Sequence, residues 1–119
     1  MQKVGAISPR VAAALGLSGI DNAPVYLGDT NVAHMQARHP ADYQKYGAEI
    51  PNILAAPDYV GLNQKDGSIE YVKEFIVDGE FVKVAVRVSS SGKHFARSLY
   101  VLGTNRVKNF IAKGTLKRP

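Results

Sequence analysis

Between Ser68 and Val88 apolar and polar residues alternate, with Ile69, Tyr71 and Phe75 in one run and Val82, Val84, Val86 and Val88 in the next. A period of two predicts two half-buried strands, and Asp78-Gly79 between them is the signal of a two-residue hairpin turn. Pairing Val77 with Glu80 sets Glu74 opposite Lys83 and Glu70 opposite Arg87, which leaves the apolar set on the other face as core. A further strand runs from Lys93 to Tyr100, reached through Ser89 to Gly92. The parity of that connection decides which face His94 joins. An even loop buries Phe95, Leu99 and Val101 and sets His94, Ser98 and Tyr100 beside Glu70 and Arg87, although it turns Arg97 toward the core side.

Upstream the pattern is helical. Ser8 and Pro9 supply an N-cap and a first helical residue, with Gly16 near the end of that helix. Val25-Tyr26-Leu27 reads as a short strand, and Gly28-Asp29-Thr30 leads into a second helix that Pro40 stops. Helical turns follow between Ala41 and Ala55, interrupted by Gly47 and Pro51, before Pro57 restores extended chain. Near the end, Thr104 or Asn105 is positioned to cap a last short helix closed by Gly114.

The 119 residues make one domain, 1–119, with 45% apolar residues, which excludes disorder as the overall state. There is no cysteine, so disulfides, thiolate catalysis and thiolate-ligated zinc are excluded. The longest stretch without a charged side chain, Val11 to Ile20, is half of what a membrane span needs, and no secretory signal is read. Residues 1 to 102 carry ten Lys and Arg against ten Asp and Glu, so the net charge of +5 belongs entirely to Arg106, Lys108, Lys113, Lys117 and Arg118. Such a segment attracts phosphates without reading sequence.

Groups that move protons near neutral pH fall in two places. His34 and His39 lie in the second helix with Arg38, and His94 lies between Lys93 and Arg97. An imidazole beside cations suits acid-base work on an anionic phosphodiester. His34 and Arg38 share a helical face, and His39 sits off it at the helix end. A zinc site would need a third ligand such as Asp42 or His94, and the histidines lack the spacing of the helical metal motif; no metal and no cofactor are expected. Glu70 and Glu74 read as ion pairs across the hairpin, with Glu70 the better general-base candidate if His94 and Ser98 share its face. His94, Ser98 and Tyr100 would then offer a proton donor, a hydroxyl and an aromatic platform on one strand face. Gly92-Lys93 lacks the spacing of a phosphate loop.

The order of short segments carries a resemblance. Val25-Tyr26-Leu27-Gly28, Asn31-x-x-His34-Met35-x-x-x-His39-Pro40, Pro57-Asp58-Tyr59-Val60-Gly61, Ser68-Ile69-Glu70-Tyr71-Val72-Lys73, Val84-Ala85-Val86-Arg87 and Phe95-Ala96-Arg97-Ser98-Leu99-Tyr100 resemble the phage-associated nuclease families grouped with barnase, EndoU, colicin-type tRNases and RelE. Taken with the elements above, the resemblance implies an α+β domain: N-terminal helices packed on a twisted antiparallel sheet of about four strands, with a short C-terminal helix. It further implies metal-independent RNA cleavage, tRNA included among the substrates, by a toxin effector that acts in the cytoplasm and is neutralised by an immunity partner. By the same resemblance His34 and His39 take the helix histidine positions, and Arg97, Ser98 and Tyr100 take late-strand positions for phosphate binding and catalysis. With His94 and Glu70 these form the expected catalytic set, and Arg38, Arg87, Lys93, Lys108, Lys113 and Lys117 the expected RNA-binding set. A silent RNA-binding or protein-interaction domain is the alternative.

Overall fold

The alternating hairpin forms the middle of a six-stranded sheet. In the computed structural model, which describes residues 1–89 and 91–119, the strands are β1 (Gln2–Ala6), β2 (Pro24–Leu27), β3 (Tyr59–Leu62), β4 (Ile69–Phe75), β5 (Glu80–Val88) and β6 (His94–Leu102), ordered β1-β2-β6-β5-β4-β3. Two features depart from the expected four-stranded antiparallel sheet. A strand precedes the first helix, and β2 pairs β6 in parallel, at Val25 with His94 and Tyr26 with Phe95. The sheet is therefore mixed.

The helices are α1 (Pro9–Ala14), α2 (Asp29–Arg38), α3 (Pro40–Tyr46), α4 (Ile50–Ala55) and α5 (Thr104–Ala112), with a 3-10 turn over Gly47–Glu49. Ser8 caps α1 as expected, its Oγ accepting from the Val11 N–H at 3.1 Å. Pro40 and Pro51 begin α3 and α4 instead of only ending what precedes them, since the first turn of a helix needs no N–H there. Gly103 stands at the α5 cap in place of Thr104 or Asn105, and Gly114 turns the chain at φ +77° as expected.

The hairpin register differs from the expected one. Phe75, not Val77, lies opposite Glu80, so Ile76 to Gly79 form a longer turn. Packing decides this, because Phe75 meets the Tyr46 ring at 4.8 Å while Val77 remains fully exposed. The Tyr46 hydroxyl donates to Asp78 and Glu80, which fixes the turn against α3. Glu70 consequently lies opposite Ala85, diagonal to Lys83 and Arg87. The expected pairs Glu70 with Arg87 and Glu74 with Lys83 are replaced by Glu70 with Lys83, 2.6 Å apart.

A second correction sits in β6. A bulge at Arg97 shifts the register between Ala85 and Val86, so Ser98 faces Ala85 while Ala96 faces Val86. An uninterrupted strand would turn the Arg97 guanidinium into the core; the extra residue releases it to solvent. Downstream of the bulge Leu99 and Val101 are on the core side as expected. Upstream the faces exchange: His94 and Ala96 are buried on the core side, and Phe95 lies opposite Arg87 on the other. His94 therefore does not share a face with Glu70, Ser98 and Tyr100. Residue 90 of the connection that was expected to set this parity lies outside the described residues.

The two sheet faces are covered unequally. The main core joins Val82, Val84, Val86, Ile69, Tyr71 and Leu99 to apolar residues of β1, α1, α2, α3 and α4. On the opposite face α5 covers one end, with Val107, Phe110 and Leu116 packed on Val72, Phe81 and Leu102. The C-terminal segment then pairs with the outer edge of β3 through reciprocal Val60 and Lys117 backbone bonds. Gly61 permits this approach, since a Cβ there would stand 2.4 Å from the Thr115 carbonyl oxygen. The other end of this face, from Tyr100 to Arg87, is left open.

Candidate active site

Beyond Phe95, β2 no longer pairs with β6, and α2 and α3 pack along the strand edge that this frees. The Asp42 carboxylate accepts from the Val101 N–H at 3.0 Å, so α3 satisfies a donor that a neighbouring strand would otherwise take. This docking carries His39, between the two helices, onto Tyr100. The rings are 4.9 Å apart and inclined by 27°, a stacked pair. Lys83 extends its ammonium to 5.1 Å from the centre of the same Tyr100 ring and to 2.6 Å from Glu70. One aromatic ring thus adjoins an imidazole and an ion pair.

The Lys83 and Glu70 side chains are only 12% and 13% exposed. Burial alone would pull the Lys83 ammonium down, but the hydrogen bond to Glu70 and the Tyr100 hydroxyl outweigh it and hold its pKa above the ordinary lysine value. Arg87 and Ser98 share this face by strand alternation. Arg87 and Arg97 both act on Asp66, whose carboxyl is held low first by the Ser68 backbone N–H and the Ser68 side chain and then by the two guanidiniums. Both arginines line one cleft at that end of the sheet.

The expected residues divide accordingly. His39, Tyr100, Ser98, Glu70 and Arg87 are brought together on the open face, with Arg97 at its margin. On α2, Asn31 lines a cleft at that margin, and His34 and Arg38 follow it at helical spacing on one exposed stripe. His94 is buried beside Val25 and Val88, only 3% exposed, and burial holds its imidazole below the ordinary histidine value. Lys93 is exposed in the β5–β6 connection. Lys113 and Lys117 lie with Leu62 near the β3 edge, and Lys108 is exposed on α5; β3 is three strand spacings from β6, roughly 14 Å, so Lys113 and Lys117 are not gathered at the Tyr100 patch. Arg118 stacks on Tyr59 at 4.8 Å. Among the described residues no three His, Asp or Glu side chains are grouped to hold a metal ion.

Lys83 and Phe95 were not anticipated at the site. A turn two residues longer would have set Lys83 diagonal to Glu70, within reach of it, and nothing local in the sequence marks the bulge that turns Phe95 to this face.

A protein-family profile described as phage-Barnase-EndoU-ColicinE5/D-RelE like nuclease3 matches residues 2–109. The chain belongs to this nuclease family. The matched region takes in the whole sheet and all of the open face, and it ends within α5. Nuclease activity of toxin type is the function that membership supports, with nucleic acid as the substrate class. No curated protein and no solved structure matches the chain significantly. No helix of this nuclease-family domain is long and apolar enough to cross a membrane, among the described residues.

Proposed function

We propose that the domain is an endoribonuclease that works without a metal ion and leaves a 2′,3′-cyclic phosphate. The observation that carries this reading is the stack of His39 on Tyr100 with the Lys83–Glu70 pair at the same ring. It brings a proton carrier, a carboxylate and a cation to one open surface. Glu70 and Tyr100 stand two strands apart, roughly 10 Å, and Lys83 on the strand between them touches both, so a phosphodiester laid over this face meets all three.

In the proposed reaction Glu70 takes the proton of the ribose 2′-hydroxyl, and the 2′-oxygen attacks phosphorus as the bond to the 5′-oxygen breaks. His39 protonates that leaving oxygen. Lys83 and Arg87 offset the charge that develops on the phosphoryl oxygens, and the Ser98 hydroxyl donates to them. His34 and Arg38, on the neighbouring stripe of α2, line the approach of the strand. The exposed Lys108, Lys113 and Lys117 add affinity without reading sequence. Action as a toxin effector on cellular RNA, tRNA among the candidates, with an immunity protein as partner, accords with the family.

Incubation with total RNA in excess EDTA tests the reading. Shortened fragments ending in 2′,3′-cyclic phosphates are expected, and single-stranded DNA, which lacks the nucleophile, should survive. Intact RNA bound by the protein would establish a silent binding domain instead. Activity that returns only with a divalent ion would replace the metal-free mechanism.

A further inference from the structure

At the margin of the open face lies a cleft of about 650 Å³, lined by Gly28, Thr30 and Asn31 at the start of α2 and by Arg87, Phe95 and Arg97 on β5 and β6. Its volume is that of a small-ligand site. Phe95 is only partly buried and packs against Tyr26, with ring centres 6.2 Å apart, so one aromatic surface is held in place for stacking. Arg87 and Arg97 supply two guanidiniums that suit a phosphate.

Asn31 adds a direction. The Gly28 N–H can only donate, and it donates to Asn31 Oδ1 at 2.9 Å. That bond fixes the amide against flipping and leaves Nδ2, a donor without acceptor capacity, as its other end. An aromatic surface, two phosphate-binding cations and one oriented donor together describe a nucleotide. Arg97 is three residues from Tyr100 on β6, roughly 10 Å of strand, so the cleft adjoins the Tyr100 patch, with Arg87 at the boundary shared by the two.

We propose that this cleft holds the nucleotide adjoining the cleaved phosphodiester, and that Asn31 makes it prefer bases bearing a ring carbonyl (guanine, uracil or cytosine) over adenine. A carbonyl oxygen projects from the ring and accepts from Nδ2 with either lone pair, whereas adenine has no carbonyl: its amine meets Nδ2 donor to donor, and only its in-ring nitrogens, each with one lone pair in the ring plane, can accept. The place given to this nucleotide in the reaction rests on the nuclease reading above; the ligand chemistry of the cleft does not.

Titration of the folded protein with GMP, UMP, CMP and AMP, followed by amide NMR, tests the ligand without any turnover. The three carbonyl-bearing nucleotides should shift Asn31, Phe95 and Arg97 and bind at least about fivefold tighter than AMP, a factor within the range of one hydrogen bond. Phe95→Leu should weaken all four by roughly tenfold and Phe95→Tyr should not, because stacking needs the ring and not its identity. Asn31→Asp keeps the acceptor for Gly28 and should erase or reverse the base preference in a protein with an otherwise unchanged spectrum. Equal binding of all four nucleotides, or shifts confined to other surfaces, would overturn the proposal. Selective binding by a protein that cuts no RNA would uphold the cleft and sink the nuclease reading. RNA cleavage whose flanking-base preference is the same in wild type, Phe95→Leu and Asn31→Asp would do the reverse.

Discussion

His39 stacks on Tyr100 at 4.9 Å although one belongs to a helix junction and the other to a strand, and the contact depends on Asp42 holding α3 to the Val101 N–H. The imidazole is thus placed by a bond between the neighbours of the two rings, Asp42 on α3 and Val101 on β6. His39→Ala should lower the saturated cleavage rate by about two orders of magnitude, within the span of general acid-base catalysis, while the domain stays folded. Tyr100→Phe, which keeps the stack, should retain most of the rate. A folded His39→Ala protein that keeps the full single-turnover rate would remove this histidine from the chemistry.

The Glu70–Lys83 pair separates stability from activity. Lys83→Met leaves a carboxylate nearly buried without its cation, and a loss of about 1–3 kcal/mol in denaturant unfolding is expected. Because the folded-state pKa of Lys83 is raised, its contribution is complete below the unfolded value of about 10.4 and is lost as the pH rises through the folded one. Unfolding measured from about pH 10 upward should show a smaller alkaline loss in Glu70→Gln than in wild type, the remainder belonging to Lys45, Tyr46 and Tyr71, whose pKa values are also raised. Glu70→Gln should also abolish cleavage at neutral pH if Glu70 takes the 2′-proton. A variant whose alkaline loss shrinks yet cuts at the normal rate leaves Glu70 a structural residue only.

Burial lowers the His94 pKa, so its effect has the opposite sense on the pH scale. The stability it permits is complete above the unfolded value of about 6.5 and is lost as the pH falls toward the folded one, because the unfolded chain binds the proton first. Among the described residues its Nδ1 has no hydrogen-bond partner. His94→Leu should therefore reduce the loss of stability between pH 6.5 and 5, and at pH 7 it should be neutral or stabilising by up to about 1–3 kcal/mol. Cleavage by this variant should be unchanged. Urea unfolding at several pH values, beside single-turnover rates, checks both statements, and a catalytic collapse in a stable His94→Leu protein would contradict the buried placement.

Local signals foretold local structure. Ser8-Pro9 capped its helix, and Val25-Tyr26-Leu27 and the valine run of β5 became strands because each carries its own period or cap. Three features depended on distant partners and left no such mark. The hairpin turn lengthened because Tyr46 holds Phe75 and Asp78, and β1 formed because β2 offers it an edge. The bulge at Arg97 answers a conflict between burying Leu99 and burying a guanidinium, and only the assembled sheet exposes that conflict. Alternation carried Ser98 and Tyr100 onto the face of Glu70, so half of the site was legible. The bulge then exchanged His94 for Phe95.

The basic C-terminal residues are folded against the sheet instead of trailing from it, which narrows what they can do. Arg118 is engaged with Tyr59 through its guanidinium and a 3.2 Å bond to the hydroxyl, and Arg106 lies over Phe110. Lys108, Lys113 and Lys117 keep exposed side chains. Changing these three together to Gln should weaken RNA binding at low salt and flatten its salt dependence, each lost phosphate contact reducing the log-log slope by about 0.7 on a single strand. Since Lys113 and Lys117 sit near the β3 edge, roughly three strand spacings from β6, the cleavage rate at saturating protein should persist. Arg97→Gln should act differently, lowering the saturated rate more than the affinity if its contact strengthens as charge develops on the phosphate. Binding across a salt series measured beside single-turnover rates separates the two. A triple variant that loses the saturated rate while Arg97→Gln keeps it would move the reacting phosphate away from Tyr100 and toward α5.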